Sequence, residues 1–227
     1  MGLLGAYIIG IIITLVGGIV QARLRSKFKK YSETSIRSNL SGKQVAEKML
    51  KENGIYDVEV ISVKGRLTDH YNPMQRTVNL SEAVYGHSNA AAAAVAAHEC
   101  GHAVQHAKQY SWLMMRSKLV PAVKRSGLFV QIALVAGIFL INIFPYLLQF
   151  GIALFALMTL FTIITLPVEF DASKRALQWM RTSNVVSNQE LADSKDALKW
   201  AAMTYVVAAV GSIATLLYYV MYYLNRR

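Results

Sequence analysis

The chain of 227 residues is poor in cysteine and in acidic side chains. A single cysteine, Cys100, excludes an internal disulfide and agrees with a reducing compartment. There are 13 Asp and Glu against 24 Lys and Arg, which gives a formal net charge of +11. The cations lack interleaved stacking aromatics and a known nucleic-acid motif, so no nucleic-acid partner is expected. Attraction to anionic headgroups explains the charge more simply and predicts membrane lipids as partners.

Charged side chains are also absent from three long stretches, residues 1–22, 126–168 and 200–225. The hydrophobic fraction of 54% is too high for an ordinary soluble domain. A helix of about 20 apolar residues crosses a hydrocarbon core of about 30 Å. The first and last stretches each fit one span, and the middle stretch fits two spans with a turn near residues 142–145. The sequence therefore predicts four transmembrane helices.

The first apolar stretch lacks the marks of a cleaved signal peptide. No cation precedes it, it is long, and arginines follow where a cleavage site would lie, so a retained anchor is preferred. Five cations fall within residues 23–30, and the positive-inside rule places that end of the helix in the cytoplasm. By alternation, residues 23–125 and 167–199 lie inside, and they contain 22 of the 24 Lys and Arg.

This topology predicts five segments along the chain. They are an N-terminal transmembrane anchor (1–22), a cytoplasmic lobe (23–125), a transmembrane hairpin (126–166), a second cytoplasmic segment (167–199) and a C-terminal transmembrane helix (200–227).

The first cytoplasmic segment is predicted to begin with a helix and two strands. Apolar residues recur at helical intervals over 43–53, and Gly54 then ends the helix. Residues 57–63 alternate as a half-buried strand, and residues 75–80 form a second strand. The turn signals between them predict a small hairpin or a sheet edge.

An alanine-rich helix follows these strands. Ser88 or Asn89 is expected to cap it, and it should run through the alanines to about Gln109, because alanine has the highest helix propensity. Residues 108–125 mix large apolar side chains with five cations. They predict a helix that lies either in the headgroup region or on the protein surface.

The alanine-rich helix contains the motif His98-Glu99-Cys100-Gly101-His102. At about 100° per residue, Glu99 and His102 lie about 100° and 40° from His98, so the three side chains project from one side. Two imidazoles at this spacing can bind one Zn²⁺, and the free carboxylate of Glu99 can act as general base on a water that the ion acidifies. The alternative is a pair of structural histidines without metal.

A catalytic zinc site needs a third protein ligand from outside this motif. His106 faces a similar direction but lies about 12 Å along the helix from His98 with no glycine break, so it is expected to be a surface or supporting residue. The chain returns to the same membrane face at Pro167, which suits a first helical position or a kink. Glu169 just after it is the preferred ligand. Three carboxylates with the charge pattern of a solvated helix face are rivals: Glu190, Asp193 and Asp196.

Four motifs, HECGH, LTDHYNP, VNLSEAVYG and PVEFDASKRA, together resemble the bacterial multi-pass membrane zinc metallopeptidases of the YugP type over essentially the whole chain. More distantly, the arrangement is similar to the HtpX and Ste24 type of membrane protease. The resemblance implies one zinc ion per chain, with His98, His102 and Glu169 as ligands and Glu99 as the catalytic glutamate. In the more distant type an aspartate four residues after the ligand glutamate orients a zinc histidine, whereas this chain has Ser173.

Other residues are candidates for supporting roles. Arg175, His70 or Tyr85 is a candidate to stabilise the oxyanion of a tetrahedral intermediate, and Ser173 faces the same way as Glu169. Cys100 should point away from the metal as a small core residue. An extended substrate could pair with the edge of the second predicted strand through Arg76, Thr77, Val78 and Asn79.

The sequence thus predicts a mainly α integral membrane protein with four transmembrane helices and a small cytoplasmic α+β zincin-like lobe. The predicted function is zinc-dependent hydrolysis of peptide bonds in membrane or membrane-proximal proteins at the cytoplasmic face of the bacterial plasma membrane. One alternative is a non-catalytic scaffold whose zinc stabilises a lobe or docks a partner, and another is zinc-dependent hydrolysis of a different bond. The sequence leaves open whether the chain has a membrane-protein partner or forms a homo-oligomer.

Overall fold

A computed structural model describes residues 2–226. Over this range the chain forms seven helices and one small sheet of three strands. In chain order the elements are α1 (Gly2–Ser32), α2 (Gly42–Glu52), β1 (Glu59–Val63), β2 (His70–Asn72), β3 (Thr77–Ser81), α3 (Glu82–Tyr85), α4 (Ala90–Ala107), α5 (Ser111–Phe139), α6 (Pro145–Thr182) and α7 (Asn188–Leu224).

Within residues 2–226, three helices are long and apolar enough to cross a membrane: α1, α6 and α7. A fourth span results if the two parts of α5, Ser111–Gly127 and Phe129–Phe139, count as one bent segment, since they meet at 49°. The expected mainly helical protein with a small sheet is therefore confirmed, and three helices, or up to four, have the length and composition of membrane spans.

The chain divides into two compact units, and the first of them is entirely helical. Its core includes Val130, Leu134 and Leu148, which come from α5 and α6. These helices approach closely at Gly137, where an added methyl group would lie 2.6 Å from the Cα atom of Leu148. Small residues allow such contacts between apolar helices. The first unit comprises Met1–Val20, Met114–Leu166 and Thr204–Arg227.

The second unit contains the sheet and the shorter helices, and its core is built around α4. The alanines in the first half of α4, residues 90–97 without Val95, are all buried, so neighbouring elements can approach its backbone closely. Cys100 is fully buried, and its thiol contacts the carbonyl oxygen of Ala46, which confirms it as a core residue. Burial and the nearby charge of Glu99 raise the pKa of Cys100, so its thiol stays protonated. The second unit comprises Gln21–Leu113 and Pro167–Met203.

The helix predicted over residues 43–53 is confirmed as α2. Ser41 and Gln44 form a capping box, in which each side chain accepts a hydrogen bond from the other residue's backbone N–H. Asn53 ends the helix, and Gly54 follows with φ of +73°, a conformation that glycine adopts without strain.

The sheet has the strand order β1-β3-β2. β1 and β3 are parallel, so the predicted hairpin between residues 57–63 and 75–80 was wrong. The antiparallel partner of β3 is β2, which forms from residues that were predicted to be a turn. The hairpin turn lies after β2, where the side chain of Asn72 accepts hydrogen bonds from the backbone N–H groups of Met74 and Gln75.

The strand predicted as a substrate edge is the central strand of this sheet. β3 pairs with β1 on one side and with β2 on the other, and all five of its residues are buried. The prediction of edge pairing through Arg76, Thr77, Val78 and Asn79 was therefore wrong, because the backbone groups of a central strand are already paired. The free edges belong to β1 and β2.

Helix α6 continues without interruption through Pro167. Of the two expectations for Pro167, a first helical position was wrong, because Pro167 lies in the helix interior, where its ring removes one backbone hydrogen bond. The other expectation, a kink, stays a prediction. Glu169 consequently belongs to the same continuous helix as the preceding apolar residues.

Candidate metal centre

Helix α4 begins at a side-chain cap and carries the HECGH motif in its second half. Asn89 adopts an extended backbone conformation and accepts a hydrogen bond from the N–H of Ala92 at 2.8 Å, which confirms the predicted cap. The helix ends at Ala107. His98 and His102 therefore lie one turn apart on a continuous helix.

Two imidazoles from α4 and one carboxylate from α6 lie together in the second unit. The candidate ligand atoms of His98, His102 and Glu169 are all within 4.8 Å of one another. Glu169 Oε2 lies 3.2 Å from His98 Nε2 and 3.6 Å from His102 Nε2. The structure thus brings the three predicted ligands together, and their role as ligands stays a prediction.

The cluster has the dimensions of a tetrahedral zinc site. Bonds of about 2.0–2.1 Å in a tetrahedron separate neighbouring ligand atoms by roughly 3.3 Å, and the distances of 3.2 and 3.6 Å lie on either side of this value. Two imidazoles with one carboxylate are a donor set of catalytic zinc sites. Burial alone would lower the pKa of His102, but its hydrogen bond and charge interaction with Glu169 raise it.

Each imidazole is held through its other nitrogen. His102 Nδ1 lies 3.0 Å from Oε1 of the fully buried Gln105. Because Gln105 Nε2 donates to the carbonyl of Val168 and to the carboxylate of Asp171, Oε1 is the acceptor and His102 Nδ1 carries the proton. His102 Nε2 is then left with a free lone pair.

Ser173 supports the second imidazole. Its hydroxyl lies 3.1 Å from His98 Nδ1. This contact fits the supporting role that was predicted for Ser173, which stays a prediction. Such outer contacts fix the ring orientation of a metal-binding histidine.

Arg175 extends this support away from the cluster. Its Nε donates to Asp171 at 2.5 Å, and its guanidinium lies over the ring of Tyr110. Asp171 in turn accepts from Gln105, so Arg175 is linked to His102 through two intermediates. These contacts favour a positioning role for Arg175, and the predicted oxyanion contact stays a prediction.

The other two candidates for the oxyanion contact have partners elsewhere. His70 is exposed, and its Nδ1 lies 2.8 Å from the carbonyl oxygen of Thr68. Tyr85 lies in α3 beneath the ammonium group of Lys43. Stabilisation of the oxyanion by His70 or Tyr85 stays a prediction, and these contacts do not favour it.

Glu99 is buried beside the cluster and is held by the backbone of β2. The N–H of Tyr71 donates to Glu99 Oε2 at 3.0 Å, and the hydroxyl of Tyr71 lies 2.8 Å from His106 Nδ1. Burial raises the pKa of Tyr71, so its phenol stays protonated. Tyr71 thus joins the free edge of β2 to α4 at two points, and His106 has a supporting contact, as expected.

Gly101 allows α4 to approach α6. A methyl group at this position would lie 2.6 Å from the carbonyl oxygen of Ala172. We expect Gly101→Ala to destabilise the fold by about 1–3 kcal/mol and to weaken zinc binding, because α6 must move away from the two imidazoles. Chemical unfolding and zinc titration measure both effects.

Gly86→Ala is the control for this prediction, since an added methyl group there meets no atom within 4 Å. Equal stability and equal zinc affinity in both alanine variants would show that the close helix contact does not determine the site.

Gln105 is a site residue that the sequence alone did not reveal. We expect Gln105→Leu to weaken zinc binding by about 10- to 100-fold, because His102 then loses the acceptor that fixes its ring. Competition with a chelator of known affinity measures the change. Gln189→Leu is the control, since Gln189 is exposed and its amide contacts only Asp193. Wild-type zinc affinity in Gln105→Leu would contradict the positioning role.

The fold and the site define a membrane-associated protein with a zinc-type ligand cluster, and comparison with known proteins agrees. Residues 6–224 match the family described as "Putative neutral zinc metallopeptidase", and the chain belongs to this family. The family implies zinc as the metal and peptide or protein as the substrate.

A relative covers almost the whole chain. The "Putative membrane protease YugP" of Bacillus subtilis (strain 168) is 41% identical over 207 residues, which are 91% of this chain and 91% of the relative. The resemblance identified from the four motifs is therefore confirmed. No solved structure matches the chain with significance.

Proposed function

We propose that the chain is a zinc-dependent endopeptidase of the membrane that hydrolyses peptide bonds in membrane or membrane-proximal proteins. The observation that carries this proposal is the position of Glu99. It is a buried carboxylate next to the cluster of His98, His102 and Glu169, and it is not itself part of that cluster. A metal centre with an adjacent free carboxylate fits hydrolysis.

In this mechanism His98, His102 and Glu169 would hold one zinc ion. When bound, zinc polarises a carbonyl group and lowers the pKa of water to about 7. Glu99 accepts the proton of the attacking water and later returns it to the leaving amine. The N–H of Tyr71 holds Glu99 Oε2 in place, and Oε1 is the oxygen that exchanges the proton.

The free edge of β2 replaces the central strand as the proposed site of the substrate backbone. Residues 70–72 form an edge strand, and its middle residue, Tyr71, contacts Glu99. Because Glu99 already accepts from the N–H of Tyr71, an extended peptide would pair with this edge through the carbonyl oxygen of Tyr71. A peptide bound here would lie beside the general base.

The proposed topology is multi-pass, with four spans, and the metal centre faces the cytoplasm of a bacterial plasma membrane. The support is the positive charge: residues 23–125 and 167–199 contain 22 of the 24 Lys and Arg. The second compact unit, which contains the metal centre, takes its residues mainly from these two segments. Labelling of single introduced cysteines on intact cells tests this orientation, and labelling of the second unit from outside would contradict it.

Zinc removal tests the proposed activity directly. We expect the purified chain, reconstituted in vesicles, to cleave members of a broad peptide library, to stop after treatment with a zinc chelator, and to recover when zinc is returned. Cleavage that continues after zinc is removed would contradict the proposal.

Two other outcomes of this experiment would favour the alternatives. Zinc bound without cleavage of any peptide would favour a scaffold, in which Glu99 has no role. Zinc-dependent hydrolysis of lipid-linked substrates, without cleavage of any peptide, would favour the alternative in which the enzyme hydrolyses a bond other than the peptide bond. Product analysis by mass spectrometry separates these results.

A further inference from the structure

A cavity lies beside the metal centre, between the C-terminal part of α6 and the N-terminal part of α7. It is an open groove of about 780 Å³ within the second unit. Leu177, Leu191 and Leu198 contribute to its apolar floor. Glu99 and Tyr71 do not line it, but Ser173, whose hydroxyl contacts His98 Nδ1, does, so the groove borders the metal centre on that side.

Four cations surround the groove, and no acidic residue lines it. Within the described part of the chain, none of the four belongs to an ion pair, in contrast to Lys27, which is paired with Asp196 at 2.8 Å. Lys199 also acts on Asp196, but only at longer range. A cluster of like charges around an apolar floor, of which only Lys199 is partly balanced by Asp196, attracts an anion that carries apolar groups. The four cations are Lys174, Arg181, Lys195 and Lys199.

One end of the groove lies where the apolar stretch of α6 ends and the apolar stretch of α7 begins. Phe170 of α6 and Met203 of α7 line this end, next to the uncharged stretches that end at residue 168 and begin at residue 200. The groove therefore opens where both helices become apolar enough to enter a membrane.

By their distance along the helices, Lys199 and Lys195 fall within the depth of lipid headgroups, and Lys174 falls just beyond it. At about 1.5 Å per residue, Lys199, Lys195 and Lys174 are about 1.5, 7.5 and 9 Å along their helices from the apolar stretches. The headgroup layer on each side of a bilayer is about 5–8 Å thick. The charges thus match the level of a lipid phosphate, and the apolar end of the groove matches the level of the acyl chains.

We propose that this groove binds one anionic phospholipid. Its phosphate lies against Lys174, Lys195 and Lys199, and an acyl chain passes Phe170 and Met203 toward the membrane interior. This site differs from a general attraction of basic residues to the membrane surface, because it has a shape, a fixed set of cations and a stoichiometry of one. It does not depend on the proposed peptidase activity.

Lipid retention measured by native mass spectrometry tests the proposal. The full chain is purified with an equal mixture of phosphatidylglycerol and phosphatidylcholine, and zinc content and the thermal unfolding midpoint establish that each variant is folded. We expect the wild-type chain to retain one phosphatidylglycerol, and Lys174→Gln with Lys195→Gln to reduce retention at least tenfold.

The matched control is Arg25→Gln with Lys29→Gln, which removes the same charge from exposed positions outside the groove. We expect it to retain phosphatidylglycerol as the wild type does. Glycerol phosphate, which has the headgroup charge without acyl chains, should not displace the lipid at millimolar concentration.

Three results would overturn the lipid site. If the groove and control variants lost the same amount of phosphatidylglycerol, general charge attraction to the membrane would explain the binding. If the wild-type chain retained phosphatidylcholine as well as phosphatidylglycerol, the anionic headgroup would have no role in the binding. Displacement of the lipid by glycerol phosphate, or by an acidic amphipathic peptide that binds one per chain, would assign the groove to another ligand.

Discussion

Glu99→Gln is expected to abolish peptide cleavage while zinc stays bound. Glutamine keeps the size of the side chain and its acceptor for the N–H of Tyr71, but it cannot take a proton from water. Loss of a general base lowers turnover by about 10²- to 10⁴-fold. Cleavage rates at saturating peptide, together with zinc content from elemental analysis, measure the two parts of this prediction.

Glu82→Gln is the control for this experiment, because Glu82 is an exposed carboxylate in the first turn of α3. It should retain both zinc and wild-type turnover. If Glu99→Gln cleaved peptides at the wild-type rate, the proposed mechanism would have to be abandoned. Loss of zinc from Glu99→Gln would instead indicate that Glu99 supports the metal directly.

Glu169→Ala is expected to lose zinc as well as turnover. The substitution removes one of three ligands and the only carboxylate of the cluster, so the two imidazoles alone must hold the ion. The loss of affinity should exceed the roughly 10- to 100-fold effect of removing an outer hydrogen-bonding partner such as Gln105. Zinc content after gel filtration and chelator competition provide the measurement.

Asp193→Ala is the matched control, because Asp193 was a rival ligand and now lies in α7 with a contact to Gln189. It should keep its zinc. Full zinc occupancy in Glu169→Ala, or loss of zinc from Asp193→Ala, would contradict the ligand assignment. Circular dichroism of both variants separates loss of the ligand from loss of the fold.

The local parts of the site were predictable because they depend on helix periodicity. His98, Glu99 and His102 follow from spacing on one helix, and Asn89 was identified as a cap from its residue type. Glu169 is 67 residues from His102 in the sequence, yet alternation of the spans predicted that it returns to the same membrane face. The order of the transmembrane spans, and not a local sequence pattern, was the basis for predicting Glu169.

The missed parts depend on tertiary contacts. Gln105 acts through Val168 and Asp171 of another helix, so no pattern within α4 distinguishes it from a surface glutamine. β2 has only three residues and a turn-like composition next to Asn72-Pro73, and its pairing with β3 becomes visible only in the fold. The role of Tyr71 was missed for the same reason.

The continuity of α6 has a mechanical consequence for the metal centre. A single helix from Pro145 to Thr182 carries both an apolar stretch and Glu169, so this carboxylate cannot shift along the helix axis unless the apolar stretch shifts or the helix bends. Metal–ligand distances tolerate displacements of only about 0.2 Å. If Glu169 binds zinc, we therefore expect the zinc affinity to depend on bilayer thickness and on the tilt of α6.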